Sequence, residues 1–137
     1  MLRRSVIVLI VSASLLGGCC RPHASAAPAD AVVMVRTELF FGLSRPDGGV
    51  VSDQQWRDFL STTVTPLFPK GLTVLEASGQ WQEESGRIAR EPSRVLVLLH
   101  LPTAEDNEKI ERVRAAYKAQ FVQEAVMRTD SPARVVF

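Results

Sequence analysis

The sequence predicts an α+β sandwich, with two helices on one face of a four-stranded antiparallel sheet. Three observations predict it. Four segments carry the alternating or continuous apolar residues of strands, two carry the apolar spacing of helices, and turns with glycine or proline separate them. The order β-α-β-β-α-β is that of ferredoxin-like folds, and right-handed crossovers would place the first and third strands at the centre. The alternative is a related α+β sandwich with a different order of edge strands.

The first strand and the first helix come at the start of the predicted domain. Residues 32–43 are rich in Val, Leu and Phe, which favours a strand, and residues 45–49 have turn composition. Ser52 and Gln55 have the spacing of a capping box, which predicts the start of a helix. Thr65-Pro66 is expected to end it, because proline disfavours helical backbone at the preceding residue. The apolar stripe of this helix comprises Trp56, Phe59, Leu60 and Val64.

A hairpin of two strands follows. Residues 72–83 alternate, so that Leu75 and Trp81 share one face, and residues 84–86 form the turn. The third strand covers residues 87–101, with Pro92 expected to mark a bulge or an unpaired stretch. Its residues 95–99 are apolar on both faces, which indicates a central strand.

The second helix and the last strand complete the fold. Thr103 with Asp106 begins the helix, and Glu105 and Lys109 are spaced to form a favourable pair. The last strand, residues 125–137, is expected to break near Pro132. The buried stripe of the second helix comprises Ile110, Val113, Tyr117 and Phe121.

The first 18 residues differ from the rest. Two arginines precede an apolar run over residues 6–16, which is too short for a transmembrane helix and typical of a signal peptide. The segment Leu16-Gly17-Gly18-Cys19 resembles the lipobox of bacterial lipoproteins. Residues 1–18 are therefore interpreted as a lipoprotein signal peptide and Cys19 as the lipidated residue. An ordinary secretory signal with two incidental cysteines is the alternative.

The remainder of the chain divides into a tether and one domain. Residues 19–31 are interpreted as the lipidated N-terminus and a flexible tether, and residues 32–137 as a single domain. Without residues 1–18 the chain has 14 basic and 15 acidic residues, a net charge of −1, which argues against a nucleic-acid partner. The predicted partner is the membrane, through the N-terminal lipid. Cys20 is not an aspartate, which in double-membraned bacteria favours the outer membrane, facing the periplasm.

No motif with an established chemistry occurs in the predicted domain. It has one histidine and no cysteine, which cannot form a usual zinc site, and it has neither a Gly-rich phosphate loop nor a Gly-x-Ser-x-Gly turn. No metal or cofactor is therefore predicted, and catalysis is less expected than binding.

Strand parity predicts candidate side chains on the sheet face that the helices leave open. Arg36, Glu38 and Phe40 share a face of the first strand, and Arg94 and His100 share one of the third, together with Leu96 and Leu98. If these faces coincide, Glu38 lies beside Arg94 or His100 and orients an anionic or proton-exchanging ligand. The alternative is a cross-strand ion pair or an interface contact.

Weaker candidates lie near the hairpin. Trp81 is a stacking platform or, as the sequence favours, part of the core beside Trp56. Arg90 and Glu91 line a ligand groove or form a solvated edge. Tyr117 is interpreted as a core residue and not as an acid catalyst.

Four motifs occur in the predicted domain: Thr37-Glu38-Leu39-Phe40-Phe41-Gly42-Leu43, Gly79-Gln80-Trp81, Arg90-Glu91-Pro92-Ser93 and Asp130-Ser131-Pro132. They resemble the motifs of a family of small secreted bacterial domains of unknown function, and the resemblance covers roughly residues 36–137. It implies no reaction, cofactor or substrate.

Three functional hypotheses follow. The leading one is a membrane-tethered, non-catalytic domain that binds a ligand or a protein and forms a homodimer through the open sheet face. The second is a small cofactor-independent enzyme, such as an isomerase or a monooxygenase-like protein, with Glu38 and His100 in one cavity on that face. The third is a structural factor of the envelope.

Overall fold

The computed structural model describes residues 28–137 and confirms the α+β class. The strands are β1 (Val32–Gly42), β2 (Thr73–Gln82), β3 (Ile88–His100) and β4 (Met127–Val135). They form one antiparallel sheet in the order β2-β3-β1-β4, so the first and third strands are central. This is the ferredoxin-like arrangement that the order of elements predicts. The predicted signal peptide, residues 1–18, and Cys19 lie outside the described residues.

Helix α1 (Asp53–Phe59) begins at the predicted cap. The Ser52 hydroxyl accepts a hydrogen bond from the Gln55 backbone N–H, and the Gln55 side chain accepts one from the Ser52 backbone N–H. Two N–H groups that would lack a partner in the helix are thereby satisfied.

The first helix does not end at Thr65-Pro66, so that prediction is wrong. A π-helical turn (Leu60–Val64) and a short helix α2 (Thr65–Leu67) continue it. In the π-helical turn the Thr65 N–H bonds to the Leu60 carbonyl, five residues back. A turn this wide separates the proline ring from the preceding carbonyls, and Pro66 lies at the start of α2, where its missing N–H costs little.

Helix α3 (Ala104–Phe121) follows the predicted pattern. The Thr103 hydroxyl accepts a hydrogen bond from the Asp106 N–H, and Lys109 pairs with Glu105. The helix ends at Val122, whose φ of 56° and ψ of 47° are left-handed values that a β-branched residue rarely adopts. Its four predicted stripe residues are buried: Ile110, Val113, Tyr117 and Phe121.

The core lies between the sheet and the helices and is centred on a cluster of aromatic rings. Phe41 of β1 packs edge-to-face against Trp56, Phe59 and Tyr117, at centroid distances of 5.1, 6.2 and 4.7 Å. The Tyr117 hydroxyl donates to the Gly42 carbonyl at 2.8 Å. Burial raises the pKa of Tyr117 far above its usual value, and nearby Glu91 raises it further. Tyr117 is therefore a core residue, as predicted.

Neither proline interrupts its strand, contrary to the prediction. Pro92 pairs with Ser78, and Pro132 pairs with Val35. The Pro92 carbonyl accepts a hydrogen bond from the Leu43 N–H. The Pro92 ring nitrogen points to the same side as its carbonyl, towards β1 and away from β2. The missing N–H therefore removes no hydrogen bond between β2 and β3, and β1 has already ended at Gly42. Pro132 lies on an edge strand, where proline is tolerated.

Candidate functional site

Arg36, Glu38 and Phe40 lie on the face that the helices leave open, which we call the uncovered face. The residues between them on β1 are buried, so parity places these three outward. The Arg36 guanidinium binds a Glu38 carboxylate oxygen at 2.6 Å. Both side chains are partly exposed, and the pair stabilises the fold little by itself.

Arg94 and His100 lie on the opposite, helix-covered face, so their predicted placement beside Glu38 is wrong. Glu38 pairs with Val97, and odd-numbered residues of β3 therefore share the uncovered face. Residues 95–98 are buried on both faces, and such a strand has no polar alternation from which its orientation could be predicted. The hypothesis of one cavity that contains Glu38 and His100 is also wrong.

Arg94 stabilises the junction of three elements. Its side chain is only 13% exposed and binds Asp53 of α1 at 2.7 Å and Glu76 of β2 at 3.4 Å. Asp53 is in the first turn of α1, where a carboxylate also interacts favourably with the helix dipole. Arg94 therefore has a structural role and is not available to a ligand on the uncovered face.

The uncovered face is more apolar than predicted. Instead of the expected charges, β3 contributes Val95, Val97 and Leu99, which pair with Phe40, Glu38 and Arg36. Leu75, Trp81, Leu99 and Met127 are large exposed hydrophobic residues on this face.

A groove of about 570 Å³ lies at one end of the uncovered face. It runs between the start of β2 and the C-terminal residue, and Arg36 and Lys70 are its two charged residues. Its apolar lining comprises Met34, Leu72, Leu75, Val97, Leu99 and Phe137.

Trp81 is 50% exposed, so the prediction that it belongs to the core is wrong. It pairs with Ala89, on the uncovered face. Alternation in an isolated strand shows which residues share a face but not which face is buried. The neighbouring Arg90 binds the Gln80 side chain at 3.0 Å.

Glu91 supports the end of β1. One carboxylate oxygen accepts a hydrogen bond from the Ser44 backbone N–H at 3.0 Å. The carboxylate occupies the space beside Gly42, where a Cβ atom would lie 2.6 Å from Oε1. A side chain at position 42 would therefore displace the Glu91 carboxylate.

A hydrogen-bonded chain of His100, Thr37 and Asp130 crosses β3, β1 and β4 on the covered face. The Thr37 hydroxyl lies 2.8 Å from His100 Nε2 and 2.5 Å from Asp130 Oδ1, and His100 Nδ1 lies 2.8 Å from the Leu101 carbonyl. Thr37 is fully buried and His100 is 6% exposed. Neither Thr37 nor Asp130 is among the predicted site residues, although both lie in motifs that carry the family resemblance.

Asp130 also belongs to a charged network between β4 and α3. Arg128 Nε donates to Asp130 Oδ1 at 3.1 Å and lies 3.0 Å from Oδ2, and Arg128 Nη1 donates to Glu111 at 2.9 Å. Arg114 binds the other Glu111 oxygen at 2.7 Å. Burial acts to raise the pKa of each carboxyl group. Hydrogen bonds outweigh this effect of burial: Thr37 and Arg128 donate to Asp130, and Arg114 and Arg128 donate to Glu111. The pKa values of both carboxyl groups therefore lie below their usual range.

Within residues 28–137 no group of His, Cys, Asp and Glu side chains has the arrangement of a metal site. No helix in that part of the chain is long and apolar enough to cross a membrane.

Comparison with known proteins identifies a family and a shared fold. A family model described as "Protein of unknown function (DUF3574)" matches residues 36–137. The structure is similar to a phage SAM lyase in complex with S-methyl-5'-thioadenosine, with 17% identity and a TM-score of 0.53 over 74% of this chain and 90% of that one. It is also similar to a phage SAM lyase in the apo state, with 15% identity and a TM-score of 0.53 over 77% and 92%. No curated protein matches. At these identities the likeness shows the fold alone.

Proposed function

The chain belongs to the DUF3574 family of proteins of unknown function, and we propose that it is a lipid-anchored envelope protein that acts by binding and not by catalysis. Its partner on the uncovered face is a second copy of the chain. The observation that carries the proposal is the composition of that face. Exposed Leu75, Leu99 and Met127 surround one ion pair, a composition typical of an interface.

The area of the uncovered face is adequate for a dimer. Strands of 9 to 13 residues are about 30–40 Å long, and four of them span about 19 Å. The face therefore covers about 600 Å² per copy, and pairing two faces buries about 1,200 Å², the lower limit of a specific interface.

The charges on the face suit pairing with an identical copy. Arg36 and Glu38 are adjacent on β1 and of opposite sign. A two-fold axis brings the same patch of both copies together, so Arg36 of one copy meets Glu38 of the other. An interface with such charges gains specificity and orientation as well as apolar burial.

The anchor makes a small interface sufficient. Lipidation of Cys19 confines two copies to one membrane, and confinement raises their effective concentration. The support for lipidation is the segment Leu16-Gly17-Gly18-Cys19 after an apolar run. Cys20 in place of an aspartate favours the outer membrane, with the domain facing the periplasm.

Sedimentation velocity of the mature protein in density-matched detergent tests the dimer. We expect a dimer for the unchanged protein and a monomer for Leu75→Asp, which places a charge at a 48% exposed position of the uncovered face. Val122→Asp adds the same charge beyond α3, at a position that is 61% exposed, and should leave the dimer intact. A monomer at the highest soluble concentration of the unchanged protein contradicts the proposal.

Metabolic labelling with a radioactive fatty acid tests the anchor. The unchanged protein should incorporate label, and Cys19→Ser should remain unprocessed and unlabelled. Cys20→Ser is the matched control and should be labelled normally. Labelling of Cys19→Ser would show that the lipid is attached elsewhere.

One observation favours a small-molecule site as a second candidate. The exposed ring of Trp81 lies on the uncovered face, opposite Ala89. An exposed aromatic face suits a flat or cationic ligand. S-methyl-5'-thioadenosine, the ligand in the similar phage enzyme, is a suitable probe. Binding that is lost in Trp81→Ala and retained in Trp81→Phe would support this candidate over the dimer.

A further inference from the structure

The chain of His100, Thr37 and Asp130 determines where its protons lie. The Leu101 carbonyl can only accept a hydrogen bond, so His100 Nδ1 carries a proton. Thr37 has a single hydroxyl proton but lies within hydrogen-bond distance of both His100 Nε2 and Asp130 Oδ1. It can donate to one of them only, so the other partner must donate to the hydroxyl oxygen.

Two proton arrangements satisfy both contacts. In the first, a protonated Asp130 donates to Thr37, which donates to a neutral His100. In the second, an imidazolium at His100 donates to Thr37, which donates to an ionised Asp130. Arg128 decides between them, because its guanidinium lies 3.1 and 3.0 Å from the two Asp130 oxygens. Charge-assisted contacts of this kind stabilise the carboxylate form.

We infer that His100 is held as an imidazolium and that, bridged by the buried Thr37 hydroxyl, it forms an ion pair with the partly exposed Asp130 carboxylate that fastens β4 to the centre of the sheet. We call this ion pair the β4 latch. It spans three adjacent strands, whereas the backbone ladder joins β4 to β1 alone. β4 is an edge strand, so backbone hydrogen bonds of the sheet hold it on one side only.

The other charged groups around the latch leave Asp130 as the partner of His100. Asp106 and Lys109 of α3 line a cavity of about 230 Å³ with His100, and Lys70 lies at the same cavity. Asp106 binds Lys109 at 3.2 Å, and Lys109 also binds Glu105. These α3 carboxylates are therefore already paired with a cation. On β4, Arg128 is shared between Asp130 and Glu111 of α3.

The latch is sensitive to the loss of one proton. If His100 Nε2 is deprotonated, it becomes an acceptor, and the one proton of Thr37 must then serve both Nε2 and Asp130. The hydroxyl can then donate to His100 or to Asp130 but not to both. In the other contact two lone pairs face and repel each other, so that contact opens. Thr37 is fully buried, so no water replaces the missing donor at the hydroxyl, and the Asp130 side chain, which is 42% exposed, turns towards solvent. Loss of this proton therefore removes the link between β4 and the buried hydroxyl and loosens the edge strand.

Nitrogen-15 NMR of the histidine ring, on the mature protein in detergent, tests the assignment. Two ring N–H groups are expected for His100 at neutral pH, assigned by their loss in His100→Gln, which also separates them from His23. Asp130→Asn removes the compensating charge and should leave one ring N–H at the same pH. A single ring N–H in the unchanged protein, or two in Asp130→Asn, overturns the inference.

Hydrogen exchange of the β4 amides tests the latch itself. Thr37→Ser keeps the hydroxyl and should retain slow exchange. Thr37→Val has nearly the same shape without the hydroxyl and should accelerate exchange of the β4 amides about tenfold or more relative to β2, which the latch does not touch. If Thr37→Val does not fold, Asp130→Asn provides the same comparison. Equal exchange in Thr37→Val and Thr37→Ser, or in Asp130→Asn and the unchanged protein, contradicts the latch.

Discussion

Substitution of Gly42 by alanine is expected to destabilise the protein only while Glu91 is present. An alanine Cβ at this position would lie 2.6 Å from Glu91 Oε1 and 2.9 Å from the carboxyl carbon. The strand backbone cannot easily move, because the Gly42 carbonyl accepts a hydrogen bond from Tyr117. Glu91 must therefore turn away and lose its hydrogen bond to the Ser44 N–H.

The magnitude follows from two opposing effects. Loss of a charge-assisted hydrogen bond costs about 1.5–3 kcal/mol, and partial exposure of Glu91 places the cost near the lower limit. Replacement of glycine restricts the unfolded chain and stabilises by about 0.4–1 kcal/mol. We therefore expect Gly42→Ala to lower the free energy of unfolding by about 1 kcal/mol, or the melting temperature by about 4–8 °C.

A double-mutant cycle isolates the contact with Glu91. In the Glu91→Ala background the space beside Gly42 is empty, so Gly42→Ala should be neutral or stabilising by about 0.5 kcal/mol. Urea denaturation followed by tryptophan fluorescence measures the free energy of unfolding of the unchanged protein, the two single variants and the double variant. If Gly42→Ala costs the same with and without Glu91, the glycine is required for another reason and the argument from close approach is wrong.

Three further predictions follow from the described contacts. Tyr117→Phe should lower the free energy of unfolding by about 1 kcal/mol in urea denaturation, because the partly buried Gly42 carbonyl loses its donor. Val122→Gly should raise it by about 0.5–1 kcal/mol, because relief of the left-handed backbone outweighs the entropy of glycine. The pKa values of Asp130 and Glu111 are lower in the folded than in the unfolded protein, so their stabilisation is complete above their usual values of 3.8 and 4.5 and is lost as pH falls through the folded values. Melting temperature should therefore decrease below about pH 4.5, and less steeply in Asp130→Asn.

The sequence predicted the helices well because their signals are local. The capping residues Ser52 and Thr103 and the stripe of α3 depend on side chains three or four residues apart, and these interact in any context. The continuation past Pro66 could not be predicted in this way, because it depends on a π-helical turn that the surrounding core stabilises.

The candidate site was predicted less well because it depends on relations between strands. Alternation correctly grouped Arg36 with Glu38, but the offset between β1 and β3 decides whether either residue meets His100. That offset is determined by packing of the whole sheet. The β4 latch joins residues 93 positions apart in the chain, Thr37 and Asp130, and no local pattern indicates such a pair.

The β4 latch and the uncovered face depend on the same two strands, which leads to a last prediction. Thr37 and Glu38 are consecutive residues of β1 that point to opposite sides of the sheet, and β4 supplies Met127 and Thr129 to the uncovered face. Loosening β4 would displace about a quarter of that face, since β4 is one of its four strands. Thr37→Val should therefore weaken the dimer although Thr37 does not touch the interface, and Thr37→Ser should not. Sedimentation velocity over a range of concentrations compares the dimer dissociation constants of the two variants with that of the unchanged protein. If both variants dimerise like the unchanged protein while exchange of β4 amides is accelerated only in Thr37→Val, β4 contributes nothing to the interface, and the dimer must be formed by β1, β2 and β3.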